Sequence, residues 1–340
     1  MKKKSFKLLV NIFIILIVLS VVLYFSLKDD YQEILKAILT MNPIYILIAI
    51  IILCLYRFVA GIAYYYITKI NKENISLLKC ISINFIIPFF HGVTPFAGGG
   101  QPMAIYYLHK EGISITKSTN ITLQNFIVYQ ISLVIVGIFA LIYNTIFKLF
   151  PSDNFIKQLV VIGFIINFLV LVVSFILSFG KKIQIFICQN GIHLLNKLKI
   201  IKDEGKINKK INEYLNNFHK NAIYLKKNKK QVLVLVLLNI LGLFIMYSMP
   251  YVIAKGMNIN LSLIDTIVAT SYVMIIGSFI PIPGGSGGVE YGFIFFYKYL
   301  IHGSLVNALM LVWRFISYYL SMIIGAIVLF LYRKKVKKCA

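Results

Sequence analysis

Pro281-Ile282-Pro283-Gly284-Gly285-Ser286-Gly287-Gly288-Val289-Glu290 sets two prolines, four glycines and one carboxylate inside otherwise apolar sequence. Upstream, residues 261–280 are nearly all apolar; downstream, 291–301 are rich in aromatics. Proline fixes φ and lacks an N–H, and glycine opens positive φ, so no helix passes through this run intact. In hydrocarbon each freed backbone group costs several kcal/mol. Broken backbone at that depth persists only where protein buries it or water reaches it, and in transporters it is where a polar substrate is held.

A second interruption runs from Pro88 to Pro102, with three prolines (Pro88, Pro95, Pro102), four glycines (Gly92, Gly98, Gly99, Gly100) and the polar His91, Thr94 and Gln101. The apolar flanks of both runs are too short to be complete spans. Two such breaks, one in each half of a chain, point to a binding site between repeats. Ordinary loops at the membrane surface are the plainer alternative.

The composition agrees with a membrane environment. Of 340 residues 59% are hydrophobic and 14% charged, against about 25% charged in soluble proteins. Segments of ~10 residues with alternating polarity, which a transmembrane β-barrel needs, are absent. The expected fold is an all-α polytopic membrane protein of about six to eight transmembrane helices. It includes two Gly/Pro-broken re-entrant hairpins in an inverted repeat.

Lys+Arg number 35 and Asp+Glu 11, a net charge of +24. In a soluble protein that excess would point to nucleic acid. Here the basic residues lie between and beyond the apolar segments, so they read as topology signals and as attraction to anionic headgroups. Cys54, Cys80, Cys188 and Cys339 are scattered, without metal-ligand or disulfide-framework spacing. No metal and no cofactor are expected.

Full spans are expected at 6–27, from Pro43 to before Lys69, and at 121–147, 155–179, 232–254 and 305–331. The first is read as uncleaved, being too long for a signal-peptide core. The polar stretch 181–230 is lysine-rich, with Asp203, Glu204 and Glu213 as its only acids. Ile207, Ile211, Leu215, Phe218, Ala222 and Leu225 recur there at helical spacing, which fits a basic amphipathic helix in the headgroup layer or a soluble helical hairpin. The positive-inside rule then puts both termini in the cytoplasm, in a multi-pass protein of a bacterial-type cell membrane. The hairpin at 77–110 enters from the cytoplasm and the one at 261–301 from outside. The chain reads as one membrane domain over 1–340: a first half to about 180, the basic loop 181–230, a second half 231–332 and a basic tail 333–340.

Ionisable groups inside spans are functional candidates by default. Arg57 and Arg314 offer planar forks suited to phosphate. Glu290 ends the glycine run at the head of a helix, where the dipole favours a carboxylate. It either caps that helix, balances Arg314 or meets a cationic headgroup. A structural ion pair is as good a reading of either arginine as ligand contact. The amides around Gly98–Gly100 and across Gly284, Gly285, Gly287 and Gly288 are able to cradle an anion. No GxxxxGK[ST] loop is present for a nucleotide.

Three motifs carry a resemblance. Thr94-Pro-Phe-Ala-Gly-Gly-Gly-Gln-Pro-Met103 with Tyr107-Leu-His-Lys-Glu-Gly-Ile113, then Pro281 to Glu290, then Arg314-Phe-Ile-Ser-Tyr-Tyr319 occur in order. They resemble the signatures of the lysylphosphatidylglycerol synthase transmembrane-region family, the flippase-like membrane domain of the multiple peptide resistance factor. The resemblance implies a domain that moves aminoacylated or anionic phospholipid between leaflets. In the bifunctional factors a soluble domain transfers lysine from charged tRNA to phosphatidylglycerol, and the product confers resistance to cationic antimicrobial peptides. Stretch 181–230 is too short and lysine-rich to hold that soluble acyltransferase domain. Gln101 stands where many relatives carry glutamate, which removes a carboxylate.

The expectation is therefore a flippase-like transporter with substrate contacts at Arg57, Thr94, Gln101, Glu290, Arg314 and Tyr318. Its partner is phosphatidylglycerol or the lysyl ester, and no catalytic residue is assigned. Two alternatives stay open. One is a phosphatidylglycerol lysyltransferase using tRNA, the only reading with a nucleic-acid partner. The other is a non-transporting partner of a separate synthase or glycosyltransferase. A homo-oligomer is compatible with each.

Overall fold

A computed structural model describes residues 31–94, 98–150, 154–180, 228–277 and 285–338, with a few positions between 183 and 190. The expected first span at 6–27 lies outside the described residues. So do nearly all of the basic loop and, within the two breaks, Pro95, Pro281, Pro283 and Gly284.

Every regular element among the described residues is helical: α1 Tyr31–Leu39, α2 Pro43–Ile70, α3 Leu77–Gly92, α4 Gly100–Lys110, α5 Ile115–Phe147, α6 Asn154–Phe179, α7 Lys229–Tyr247, α8 Met249–Gly256, α9 Leu263–Gly277, α10 Gly288–Tyr297, α11 Leu305–Arg314 and α12 Ser321–Lys338. Among the described residues five stretches are long and apolar enough to cross a membrane: Pro43–Ile70, Ile115–Phe147, Gln158–Ile176, Lys229–Gly256 and Leu305–Tyr332. The chain is a polytopic helical membrane protein, as its composition requires.

Local chemistry sets the helix ends. Asn42 opens α2 by accepting the Ile44 N–H at 3.0 Å, with Pro43 in the first turn where no N–H is needed. Ser114 accepts the Lys117 N–H at the start of α5, and Lys148 ends it with φ 51°. Both expected breaks fall between short apolar helices, α3 and α4 for the first and α9 and α10 for the second, and each pair packs side by side.

The first break is narrower than the sequence implies. Helix α3 carries Pro88 within it and continues to Gly92; α4 resumes at Gly100 with Pro102 in its first turn. Proline inside a membrane helix is tolerated because neighbouring groups satisfy the freed carbonyls. Three other features depart from the expected spans. The stretch 232–254 is divided at Ser248, after which α8 begins with Pro250 in its first turn. The last span holds a π-helical turn, Phe315–Leu320, between α11 and α12. A short helix, α1, precedes the second span and packs on α11 with Ile34 fully buried.

Contacts at the hairpin mouths establish their directions. At the mouth of α3–α4, Lys79 pairs with Glu111, which also accepts the Tyr332 hydroxyl from the end of α12. Close by in sequence, Lys117 at the start of α5 pairs with Glu73 at 2.5 Å. At the mouth of α9–α10, Asp265 accepts the Tyr143 hydroxyl at 2.8 Å near the far end of α5. Phe150, just beyond α5, meets the Tyr299 ring beyond α10 at 6.2 Å between centroids. Lys117 and Tyr143 are about 39 Å apart along the α5 axis at 1.5 Å per residue. The two hairpins therefore open on opposite faces, and α5 packs against both.

Helix α12 lies so close to α3 that a Cβ on Gly325 would stand 2.7 Å from the Phe85 carbonyl oxygen. Backbone cannot yield as a side-chain tip can. Gly325→Ala is expected to lower stability by about 1–3 kcal/mol, the usual range for overpacking. Gly242→Ala, whose nearest neighbour would be a Tyr56 ring atom at 3.5 Å, is expected to be neutral. Thermal unfolding of the two variants in one detergent checks the contrast.

Candidate functional site

The tip of the second hairpin is built around Glu290. Gly287 takes φ 89°, a value that few side chains adopt, and turns the chain into α10. Its N–H donates to Glu290 Oε2 at 2.6 Å, so the carboxylate closes the first turn of its own helix. The other oxygen, Oε1, accepts from Arg314 Nε at 2.7 Å. Glu290 and Arg314 are only 3% and 7% exposed, so this is a buried ion pair. The Arg314 Nη2 also reaches Ser286 Oγ at 3.5 Å.

Arg314 ends α11, and the π-helical turn that follows carries Tyr318. The guanidinium lies over the Tyr318 ring, 4.3 Å from its centroid. The Tyr318 hydroxyl donates to the Gly92 carbonyl at 3.1 Å. Gly92 is the last residue of α3 and thus the tip of the first hairpin. One continuous polar line therefore joins the two tips: Gly92 C=O, Tyr318, Arg314, Glu290, Gly287 N–H. The last span supplies its middle.

Arg57 meets the same span one step further on. It lies near the centre of α2, and its Nη2 donates to Ser321 Oγ at 3.0 Å. Ser321 is the first residue of α12. The guanidinium also sits 5.0 Å from the Tyr56 ring centroid. Its Nε is buried and has no hydrogen-bond partner. Among the described residues Arg57 enters no ion pair, unlike Arg314. An unmet buried donor costs about 1–3 kcal/mol.

The remaining expected contacts stay at the first tip. Thr94 Oγ1 donates to the Phe90 carbonyl at 2.7 Å and accepts the Gly99 N–H at 2.8 Å, closing the turn between α3 and α4. Gln101 is half-buried in the first turn of α4, next to Gly100, whose Cα faces the His91 ring. Gly98 and Gly99 directly precede α4, and at the other tip Gly285 precedes Ser286 and Gly288 opens α10. Glu290, Arg314 and Tyr318 thus meet, and Arg57 joins them through Ser321. Sequence reasoning missed Ser286, Ser321 and the π-helical turn. Ser286 was within sight, being the polar residue of the glycine run; Ser321 has no comparable signal. No group of three His, Cys, Asp or Glu suited to a metal occurs among the described residues.

Comparison with known proteins gives one family. The profile described as the lysylphosphatidylglycerol synthase TM region matches residues 11–325. A UPF0104 membrane protein of Methanocaldococcus jannaschii is 26% identical over 345 residues, covering 95% of this chain and 94% of that protein. A UPF0104 membrane protein of Archaeoglobus fulgidus is 22% identical over 257 residues, covering 74% of this chain and 76% of that protein.

Breaking a buried ion pair by removing one member costs about 3–5 kcal/mol, because the other charge is stranded. Glu290→Gln and Arg314→Met are each expected to destabilise by that order. The double variant is expected to lose much less than the two losses added together. A double-mutant cycle on unfolding in detergent measures the coupling.

Proposed function

Because the chain belongs to the lysylphosphatidylglycerol synthase transmembrane-region family, we propose that it carries a phospholipid headgroup between leaflets. The headgroup passes the junction of the two hairpin tips while the acyl chains stay in lipid. The observation behind this reading is the polar line at that junction, held by Tyr318 and by the buried Arg314–Glu290 pair. Ionised groups in the middle of a span are costly and serve as functional sites by default. Discontinuous helices from opposite faces are how transporters place such groups at mid-depth. A π-helical turn at the centre supports the reading, since these turns gather at functional positions.

The lysine-bearing face, where α3–α4 opens and α12 ends, is assigned to the cytoplasm by the positive-inside rule. The 340 residues act as one membrane domain, with phosphatidylglycerol or a related lipid as the molecule moved.

Reconstitution in sealed vesicles with fluorescent phosphatidylglycerol tests the proposal, with dithionite quenching to count the protected leaflet. The wild-type chain is expected to expose the inner-leaflet lipid. Tyr318→Phe deletes a single hydroxyl and is expected to slow transfer about tenfold, the equivalent of about 1.4 kcal/mol. Wild-type transfer no faster than in protein-free vesicles would remove the proposal.

A further inference from the structure

We infer that the anionic group of the transported molecule docks on Arg57, and that the molecule is a net-negative phosphodiester lipid rather than its aminoacylated, cationic ester. This rests on the headgroup-transport reading and gives it a substrate class.

The charges at the junction do not balance. Among the described residues Arg57, Arg314 and Glu290 are the Arg, Lys, Asp and Glu side chains gathered on the central part of the last span and its partners, with the His91 ring at the first tip beside Gly100. Arg314 and Glu290 neutralise one another at 2.7 Å. Both Glu290 oxygens already accept a bond, one from Arg314 and one from Gly287. A cationic headgroup would have to compete with Arg314 for the carboxylate. Arg57 is left with a serine hydroxyl, a tyrosine ring and a buried Nε that has no partner. The site carries one positive charge too many.

A phosphodiester oxygen pair restores neutrality. The Nε and Nη edge of a guanidinium is a planar fork matched to two phosphate oxygens. Ser321 already touches Nη2 and is placed to donate its hydroxyl to the same anion. Ser321 follows Arg314 by seven residues, about 10 Å along a helix axis. A headgroup on Arg57 is therefore beside the bridge between the hairpin tips and distinct from it. Thr94 and Gln101 at the first tip add no charge.

The test uses the full chain in nanodiscs of phosphatidylcholine, with the melting temperature read as the composition changes. Phosphatidylglycerol is expected to raise the wild-type Tm by about 2–4 °C more than it raises that of Arg57→Gln. The shared remainder is the part owed to surface lysines. The lysyl ester carries the same phosphodiester, but its two ammonium groups restore the excess positive charge beside an occupied Glu290, so it is expected to show a smaller difference between the two proteins. In pure phosphatidylcholine Arg57→Gln is expected to melt no lower than wild type, since it removes a half-buried charge that has no ion-pair partner among the described residues and a buried Nε that has no hydrogen-bond partner.

Equal phosphatidylglycerol shifts in wild type and Arg57→Gln would overturn the assignment. A shift of the same size from inorganic phosphate alone would also overturn it, by making the ligand a soluble anion. The fluorescent-lipid assay keeps the two proposals apart. An Arg57-dependent shift without transfer sinks transport and leaves the site; transfer at the wild-type rate in Arg57→Gln, with equal shifts, sinks the site and leaves transport.

Discussion

A carbonyl or amide without a partner inside hydrocarbon costs several kcal/mol, and this chain interrupts its apolar helices twice. The arrangement stands because one segment of the last span serves both interruptions. Tyr318 covers the carbonyl at the end of α3, and Arg314 holds Glu290, which covers the amide at the head of α10. Neither hairpin tip is self-sufficient. The π-helical turn begins directly after Arg314 and itself carries Tyr318, and a wide turn re-aims side chains that a regular helix would place differently.

The surrounding bundle keeps those contacts in register. Helices α2 and α5 are joined by polar side chains at the lysine-bearing end: Asn71 donates to Gln124 at 2.7 Å, Gln124 to Asn120 at 3.0 Å, and Tyr64 and Thr122 share a bond at 2.9 Å. Such bonds are worth only about 0.6–2 kcal/mol each in membranes, but each has a single geometry. Together they fix how α5 stands against α2, and α5 in turn packs against one helix from each hairpin. At the other end, Phe293 stacks on Tyr297 and on Trp313, at 3.9 and 4.7 Å, and so ties α10 to α11 beside the ion pair.

Much of this was legible in the residues. The glycine and proline runs marked both breaks because those residues act on backbone dihedrals, which is local chemistry. The alternation of basic and apolar stretches implied hairpins opening on opposite faces, and the contacts of Glu111 and Asp265 bear this out. Arg314 had two readings, a partner for Glu290 or a ligand for phosphate, and the structure places it on Glu290. The π-helical turn, the interruption at Ser248 and the short helix α1 were not legible. Each depends on packing between segments distant in sequence, and an apolar run has the same composition whether its turns are regular or wide. Pro88 misled in the opposite sense, since a helix held by neighbours tolerates a proline that would end an isolated one.

The two arginines divide the chemistry of the site. Arg314 is spent on the architecture, in its pair with Glu290; Arg57 holds a serine hydroxyl and enters no ion pair among the described residues. Both statements require that the hairpins come from opposite faces, because only then do their tips meet on the last span. Thiol labelling in sealed, oriented vesicles measures this directly, using a chain freed of native cysteines and carrying one cysteine at Lys110 or at Lys298. The account predicts that an impermeant reagent reaches the two positions from opposite sides. Labelling of both from the same side would contradict it.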